Sequence, residues 1–414
     1  MHMRVVVTGL GCVTPVGNDT ASLWDSLIHG RHGFAPITKF DASVLKTRIA
    51  AEVKGFEPEK YLNKSDLRKT DLYAQYALAA ASQAMEDSGL GKAEAAPDRL
   101  GVYIGSGIGG MATFMKQTEV LLTKGPTKIS PHFIPMMIGN IASALIAIRY
   151  NAQGPNLPVV SACATATHSI GEAFRTIQHG HADVIIAGGA EAAINPLCLG
   201  GFINCLALSP SNDVDACSLP FDRRREGFAL GEGAGALVLE EYEHAVRRGA
   251  RIYCEVAGYA NTCDAYHVTA PHPDAVAASR PIALALREAG LVPDELLYIN
   301  AHGTGTPLND KTETVAIKMA LGDAAYQAVI SSTKSMTGHM LGAAGAVEAI
   351  AAIKTLETGV IPPTIGLLEP DPDCDLDYAA NTARERPVNK AMSLSMGFGG
   401  HNAGVLFTRC EAKL

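Results

Sequence analysis

The sequence predicts an α/β fold with a largely buried sheet, built from two duplicated halves. Short runs rich in β-branched residues alternate with helical stretches along all 414 residues, a pattern typical of strands covered by helices. Hydrophobic residues make up 47% of the chain and charged residues 18%, so we expect a compact protein with little disorder. This length suffices for one large domain or two medium ones.

Apolar periodicity and turn residues place the individual elements. Short β-rich runs predict strands at 4–8, 102–106, 157–161, 184–188, 234–240, 252–259, 296–300, 328–333, 392–395 and 403–408. Helical periodicity predicts helices at 20–29, 72–88, 136–149, 169–179, 240–248, 275–289, 310–321 and 342–357. The strand at 157–161 is predicted to be buried, because its first four residues form an apolar run.

Similarity between the two parts of the chain indicates a duplication. Three features of the first part recur in the same order in the second: a helix end followed by a strand (84–105 and 285–300), a strand feeding a small-residue helix (at Cys163 and after Lys334), and a glycine-containing strand (233–239 and 402–407). We therefore predict halves at 1–250 and 251–414. A two-fold-related pair of sheets would bring equivalent loops of both halves to a shared cleft.

Charge and cysteine usage exclude several classes of function. The formal net charge is −8, from 34 basic and 42 acidic residues, which argues against nucleic acid or an anionic membrane as the general partner. The first strand begins within a few residues of the N-terminus, and no apolar run approaches the length of a membrane span. Nine scattered cysteines without a C-x-x-C pair fit a reducing compartment, with neither a disulfide framework nor a zinc site. We expect a cytoplasmic protein.

Cys163 is the first candidate nucleophile, because it lies where a predicted strand turns into a predicted helix. The positive end of the helix dipole and free backbone N–H groups favour a thiolate there. Small neighbours, Ala162, Ala164 and Ala166, leave room for a substrate. The alternative is a buried cysteine that acts as a small hydrophobic residue, which is more usual and is favoured on this stretch alone.

Three further glycine-rich loops carry polar residues at strand ends. They contain His302 (300–307), Lys334 with His339 (334–345), and Phe398 with His401 (397–402). A histidine in such a loop differs from a core histidine, which would have large apolar neighbours. Two such loops in the equivalent part of a duplicated fold favour a functional interpretation over that of an ordinary loop histidine.

These motifs resemble those of the β-ketoacyl-acyl-carrier-protein synthases, in particular the synthase II type of type II fatty-acid synthesis. The resemblance runs from 4–11 through 220–224 and 231–235 to the last strand, with a Cys, a His, a Lys and a second His in family order. It implies the thiolase fold, with duplicated halves in a five-layer α-β-α-β-α arrangement, as a homodimer. It also implies a decarboxylative condensation of malonyl-acyl carrier protein with a cysteine-bound acyl group, which gives 3-oxoacyl carrier protein, CO2 and free carrier. No cofactor is implied beyond the carrier's phosphopantetheine.

The resemblance assigns catalytic roles to five residues. Cys163 is the acylated nucleophile, and its own N–H and that of Phe398 form an oxyanion hole. His302 and His339 polarise the malonyl thioester, so that loss of CO2 leaves a stabilised enolate. Lys334, paired with Glu348, maintains the arrangement of charges in the site, although a purely structural ion pair is almost as good an explanation. Phe398 is also the family's gate between the acyl pocket and the malonyl side.

The resemblance also assigns binding residues, each with a plainer alternative. The phosphopantetheine arm would contact Thr304, Thr306 and Thr269. The acyl pocket would be lined by Ile108, Phe133 and Phe202, for which core packing is an equal or better explanation. The acidic carrier would dock on Lys64, Arg68 and Lys69, which could equally be a solvated helix face. A monovalent cation would be held by Asn300, Ala301, Glu348, Ser393 and Leu394.

Two departures and several rival interpretations remain. The family usually has threonine in place of His401, and 165–167 is also a family variant. Chain-length preference is therefore open, as is a specialised polyketide-type ketosynthase. A non-catalytic chain-length-factor-like partner would lack the nucleophile, a thiolase would carry a second catalytic cysteine near His339, and a synthase III would carry asparagine in place of that histidine. A G-x-G-x-x-G match at 105–110 indicates a turn at the pocket wall rather than a dinucleotide site.

Overall fold

The computed structural model describes residues 2–91, 94–294 and 297–410. Its strands are β1 Val5–Val13, β2 Ala35–Pro36, β3 Ile49–Ala50, β4 Leu100–Gly105, β5 Val184–Glu191, β6 Gly233–Glu241, β7 Cys254–Cys263, β8 Leu297–Asn300, β9 Val329–Ser331, β10 Val360–Ile361, β11 Arg384–Glu385, β12 Lys390–Gly397 and β13 His401–Thr408. Its α-helices are α1 Thr20–Ile28, α2 Lys64–Leu67, α3 Leu72–Ser88, α4 Met111–Lys124, α5 Phe133–Met137, α6 Ile141–Tyr150, α7 Thr165–Gln178, α8 Pro196–Asn204, α9 Tyr242–Arg247, α10 Val276–Glu288, α11 Pro307–Leu321, α12 Lys334–Thr337 and α13 Ala344–Thr358.

Nine of these strands form one extended sheet whose two ends repeat the same order. The strand order is β4-β5-β6-β1-β7-β13-β12-β8-β9, so β4-β5-β6-β1 is mirrored by β8-β12-β13-β7. Strand directions repeat as well, because β4 and β5 are parallel, as are β8 and β12, and the other pairs within each set are antiparallel. The two sets are joined by a short β1–β7 pairing of two residues, Val6 and Val7 with Glu255 and Cys254.

Helices α7 and α13 form the middle layer, because each contacts strands of both sets as well as the other helix. Both are rich in small residues and mostly buried, so the two groups of strands can approach them closely. Helices α3 and α6 cover the outer face of the first set, and α10, with α11 packed on it, covers the second. The layers therefore run α-β-α-β-α, and the predicted thiolase fold is confirmed.

Most predicted elements are present, but two predictions are wrong. Residues 157–161 form no strand; they run beside β4 with one bridge, Val102 to Asn156. Leu157 and Val160 are 48% and 61% exposed, because this segment lies along the outer edge of β4 and no other described strand pairs with it, so the apolar run did not indicate burial. The predicted helix 136–149 is broken into α5 and α6, because Ile138 between them has extended backbone.

Element boundaries differ more modestly elsewhere. Strands β1 and β7 extend several residues past their predicted ends. Helix α9 begins two residues later than predicted, because β6 continues to Glu241. The predicted strand 296–300 is β8, with residue 296 outside the described residues. The division at residue 250 falls between α9 and β7 and stays a prediction. In the described parts of the chain, no helix is long and apolar enough to cross a membrane.

The close packing of the middle layer leads to a prediction about stability. A Cβ added to Gly171 in α7 would lie 2.1 Å from ring atoms of Tyr259 in β7, whereas one added to Gly200 in α8 would meet nothing within 4 Å. We expect Gly171→Ala to lower the free energy of unfolding by about 1–3 kcal/mol through overpacking. The control Gly200→Ala should raise it by up to about 1 kcal/mol through helix propensity. Denaturant titration measures both, and equal stability of the two variants would contradict the packing described.

Candidate active site

The predicted catalytic residues meet at one cavity of about 370 Å³ between the two halves. Cys163 enters from the first half, and the other lining residues come mainly from loops that follow strands of the second half. The predicted site residues that line it are Cys163, His302, His339, Phe398, Thr304, Thr306 and Thr269. Lys334 lies just behind this lining, buried at the start of α12.

Cys163 is presented by a strained turn at the start of α7. Ala162 has a φ of +50°, and residues Ala162–Ala164 form a 3-10 turn that leads into the helix. A non-glycine residue in that region costs of order 1–3 kcal/mol, so neighbouring contacts must hold it. Ser161 supplies two of them: its N–H donates to Thr165 Oγ1 at 2.9 Å, and its hydroxyl lies 2.7 Å from His168 Nδ1. The turn therefore aims the thiol at the cavity.

The Cys163 thiol is protonated in the resting protein. Burial raises its pKa to about 12, and this outweighs the lowering of the pKa by Lys334 and by the hydrogen bond from the Phe398 backbone N–H. The expected resting thiolate is therefore wrong, because burial of the thiol outweighs the effect of the helix terminus. The sulfur has to lose its proton during attack instead of before it.

His302 and His339 are both buried and neutral. Their rings lie edge to face, with centroids 5.3 Å apart. Burial holds the pKa of each imidazole well below its usual value, and nearby Lys334 lowers it further. Each Nδ1 is buried and has no hydrogen-bond partner among the described residues. Since a buried N–H without an acceptor is rare, the proton belongs on Nε2, from which both rings can donate into the cavity that they line.

Two buried glutamates that sequence reasoning missed hold the histidine loops. Glu313 in α11 accepts the backbone N–H groups of His302 at 2.6 Å and Gly303 at 2.7 Å. Glu191, at the end of β5, accepts the N–H of Gly342 at 3.0 Å, three residues after His339. Burial raises the pKa of Glu313 to about 7 and that of Glu191 to about 6.

Glu191 also binds the loop that follows β4. Its carboxylate accepts the Ser106 hydroxyl at 2.9 Å and the N–H groups of Gly107 and Ile108 at 2.9 and 3.2 Å. One buried side chain thus connects the loops of both halves beneath the cavity. The G-x-G-x-x-G stretch therefore provides backbone donors for this carboxylate. The sequence did contain a sign of this role, because Glu191 is the one acidic residue in the otherwise small and apolar run 184–194.

Lys334 forms a buried ion pair with Glu348 of α13. Burial raises the pKa of Glu348, and the lysine opposes that rise. In the part of the chain that the structure describes, Glu348 Oε2 has no hydrogen-bond partner, and neither have Asn300 Oδ1 and Ser393 Oγ; all three atoms are buried. Asn300 of β8 and Ser393 of β12 are neighbours in the sheet register. Hard oxygen atoms without donors fit a monovalent cation, so these residues are consistent with the predicted site.

Phe398 belongs both to the cavity and to an apolar cluster. It lines the cavity and also packs in a cluster with Cys163, Ile108 and Phe202. Ile108 and Phe202 are therefore brought into the same apolar cluster as the nucleophile and Phe398. Phe133 is not: it begins α5 and packs near Phe114, with ring centroids 6.4 Å apart. Its predicted place in the acyl pocket stays a prediction.

The remaining predicted residues lie on the rim and on the surface. Thr304 and Thr306 have hydroxyls 2.9 Å apart and line the cavity with Thr269. Lys64, Arg68 and Lys69 lie on and just after α2, exposed, and none of them forms an ion pair with any described residue. The structure thus brings the three threonines to the cavity and leaves the basic cluster free to meet a partner.

The protonated thiol leads to a test of reactivity against pH. With a pKa of about 12, the thiolate fraction of Cys163 grows about tenfold per pH unit through the neutral range. We expect its alkylation by iodoacetamide to rise in that proportion between about pH 7 and 9. Peptide mass spectrometry measures it, with Cys163→Ser as the control for site assignment. A rate that levels off below about pH 8 would contradict the protonated resting state.

Two family models match the chain in order. The model for the N-terminal domain of β-ketoacyl synthase matches residues 2–245, and the model for the C-terminal domain matches residues 253–368. Similar curated proteins, all named 3-oxoacyl-[acyl-carrier-protein] synthase 2, match nearly end to end. The one from Synechocystis is 51% identical over 99% of this chain and 98% of its own length. That from Coxiella burnetii is 50% identical over 98% of both chains, and that from Staphylococcus aureus is 46% identical over 99% of both.

Solved structures of the same fold are similar over the whole chain. A ketosynthase from a complex with its type II polyketide acyl-carrier protein, bound to the hexaketide, has a TM-score of 0.91 at 36% identity, covering 99% of this chain and 100% of that one. A β-ketoacyl synthase from Burkholderia phymatum has a TM-score of 0.92 at 34% identity, with the same coverage. Since both domain models match in order around a shared cysteine and histidine cavity, the chain belongs to the β-ketoacyl synthase family.

Proposed function

We propose that this chain lengthens an acyl chain by two carbons in fatty-acid elongation. It condenses malonyl-acyl carrier protein with an acyl group held on Cys163 and yields 3-oxoacyl carrier protein, CO2 and free carrier. One observation carries this proposal: a cysteine and two neutral histidines, all three buried, line the same cavity. A nucleophile and two uncharged donors are what acyl transfer and decarboxylation require in sequence.

Acylation comes first. Cys163 Sγ attacks the carbonyl carbon of the acyl thioester, and its proton leaves with the departing pantetheine sulfur. The backbone N–H groups of Cys163 and Phe398 stabilise the oxyanion, each contributing roughly 3–4 kcal/mol. Close backbone approach supports this: a Cβ on Gly397 would lie only 3.3 Å from the Cys163 nitrogen, so glycine keeps the donors open.

Decarboxylation follows once malonyl carrier replaces the free carrier. The bond to the carboxylate breaks, CO2 leaves, and the electron pair moves into an enolate whose oxygen receives hydrogen bonds from His302 and His339. Neutral imidazoles suit this step, because each already carries one N–H group that can donate a hydrogen bond to the enolate oxygen, and the ring does not have to be protonated first. The enolate carbon then attacks the carbonyl carbon of the Cys163 thioester and forms the new carbon–carbon bond. The carbon–sulfur bond breaks, and the sulfur leaves as a thiolate that takes up a proton from solvent to restore the resting thiol.

Acyl carrier protein is the partner that this chemistry requires. Thr304, Thr306 and Thr269 supply hydroxyls along the cavity for the phosphopantetheine arm. The exposed cations on and after α2, Lys64, Arg68 and Lys69, complement an acidic carrier. One of the similar solved structures is itself described as a ketosynthase in complex with a carrier. We place the reaction in the cytoplasm, where fatty-acid elongation would supply these thioesters.

A homodimer accounts for an apolar face that this chain leaves uncovered. Large apolar side chains lie exposed beside the outer edge of β4 and on neighbouring helices: Leu157, Val160, Ile148, Ile134 and Leu122. Patches of this kind mark protein interfaces, and a second copy is the partner that the family resemblance implies. Phe133 begins the helix that carries Ile134, so its role in the acyl pocket would depend on that interface.

A specialised ketosynthase is the remaining alternative. Solved polyketide-type structures, including one described as the ishigamide ketosynthase/chain length factor, have 36–37% identity to this chain. The fatty-acid-type relatives have 46–51%, which favours fatty-acid elongation. A non-catalytic partner is disfavoured, because the cysteine and both histidines are present.

Removing either histidine should separate the two half-reactions. We expect His302→Ala and His339→Ala to retain acylation of Cys163 and to lose about 10²–10³-fold in malonyl decarboxylation, because one oxyanion donor is removed. Acyl-adduct mass and CO2 release measure the two steps. The matched control is His181→Ala, an exposed histidine remote from the cavity. Equal loss of both steps, or of neither, would contradict the assigned roles.

The unpartnered oxygens near Lys334 predict a response to small cations. We expect K⁺ or Na⁺ to stabilise folding by about 1–3 kcal/mol relative to tetramethylammonium at equal ionic strength. Ser393→Ala should remove most of that difference. Thermal unfolding measures it, and identical midpoints in all three salts would contradict a bound cation.

A further inference from the structure

Phe398 lines the cavity and also packs in the apolar cluster that contains Cys163, Ile108 and Phe202. A long acyl group on Cys163 that extends into this cluster needs space that the Phe398 ring now shares, so Phe398 has to move to admit it. The turn that would have to move is glycine-rich, with Gly399 and Gly400 at φ values of +88° and +78°. Contacts that restrain this turn therefore decide how readily a long chain is accepted.

Gly399 is restrained on three sides. Its N–H donates to Val268 O at 2.7 Å, and its carbonyl accepts the Cys263 thiol at 3.6 Å. On the third side lies the ring of His401: a Cβ on Gly399 would be 3.2 Å from Cδ2 and 3.3 Å from Nε2 of that imidazole. The ring thus fills the space directly against the turn.

His401 is in turn supported by a second histidine. It opens β13, paired with Gly397 on one side and Cys263 on the other. Its ring stands edge to face on His168, with centroids 5.9 Å apart. His168 Nδ1 lies 2.7 Å from Ser161 Oγ and 3.0 Å from Ala164 O, on either side of the nucleophile turn.

We propose that His401 is a positioning residue that braces the Phe398 turn and so limits access of long acyl chains to Cys163. The imidazole transmits the position of the nucleophile turn, through His168, to the glycine that must move when Phe398 is displaced. A smaller side chain at this position leaves space behind Gly399 and frees the turn. This inference rests on the proposed acylation of Cys163 and extends it to substrate selection.

The test compares acylation of Cys163 by hexanoyl and myristoyl carrier protein. In His401→Thr, we expect the ratio of kcat/KM for myristoyl over hexanoyl transfer to rise about threefold or more, because a packing contact is lost. His401→Phe, which keeps an aromatic ring against Gly399, should retain a ratio near that of the unmodified protein. His181→Thr is the matched control on the surface. Malonyl decarboxylation by each sample measures its active fraction.

The outcomes are distinguishable. An unchanged ratio in His401→Thr overturns the bracing role, as does an equal shift in His401→Thr and His401→Phe. If His401→Thr does not fold, His401→Asn replaces it, with the same expected rise in the ratio. Failure of the unmodified protein to accept either acyl group overturns the proposed function itself and is seen before any variant is compared.

Discussion

Exclusion of water from polar groups at the seam between the two halves is the constraint on which the active site depends. His302 and His339 are neutral because they are buried beside Lys334. The Cys163 thiol keeps its proton for the same reason. In water, each of these groups would titrate near its ordinary pKa, and a larger fraction of the imidazoles would be protonated at neutral pH.

The duplicated fold makes that burial possible. Small residues in α7 and α13 let two groups of strands close on one middle layer, and loops from both groups then meet over Cys163. Buried carboxylates hold those loops in place: Glu313 fixes the backbone at His302, and Glu191 ties a loop of the first half to the segment that follows His339. Catalytic geometry is thus set by backbone contacts that the substrate never touches.

Alternation and duplication leave clear patterns in the sequence, and they predicted the α/β architecture with two similar halves. The resemblance to the β-ketoacyl synthases then assigned the residues that the structure brings to one cavity, Cys163, His302 and His339 among them. The predictions failed where the environment of a residue depends on parts of the chain that are distant in sequence. The run at Leu157 and Val160 looked like a core strand but lies, largely exposed, along the edge of the described sheet. A thiolate was expected at Cys163 from the helix terminus, although burial dominates there. Glu191 went unnoticed, because its donors come from loops distant in sequence.

The central claim is that Cys163 carries the acyl group and releases it to the enolate formed from malonyl carrier. Mass spectrometry of the protein after incubation with acyl carrier protein tests this most directly, followed by addition of malonyl carrier. The account predicts an acyl adduct that maps to Cys163 and disappears as 3-oxoacyl product forms. No adduct with any acyl donor, or an adduct that persists after malonyl carrier is added, would contradict it.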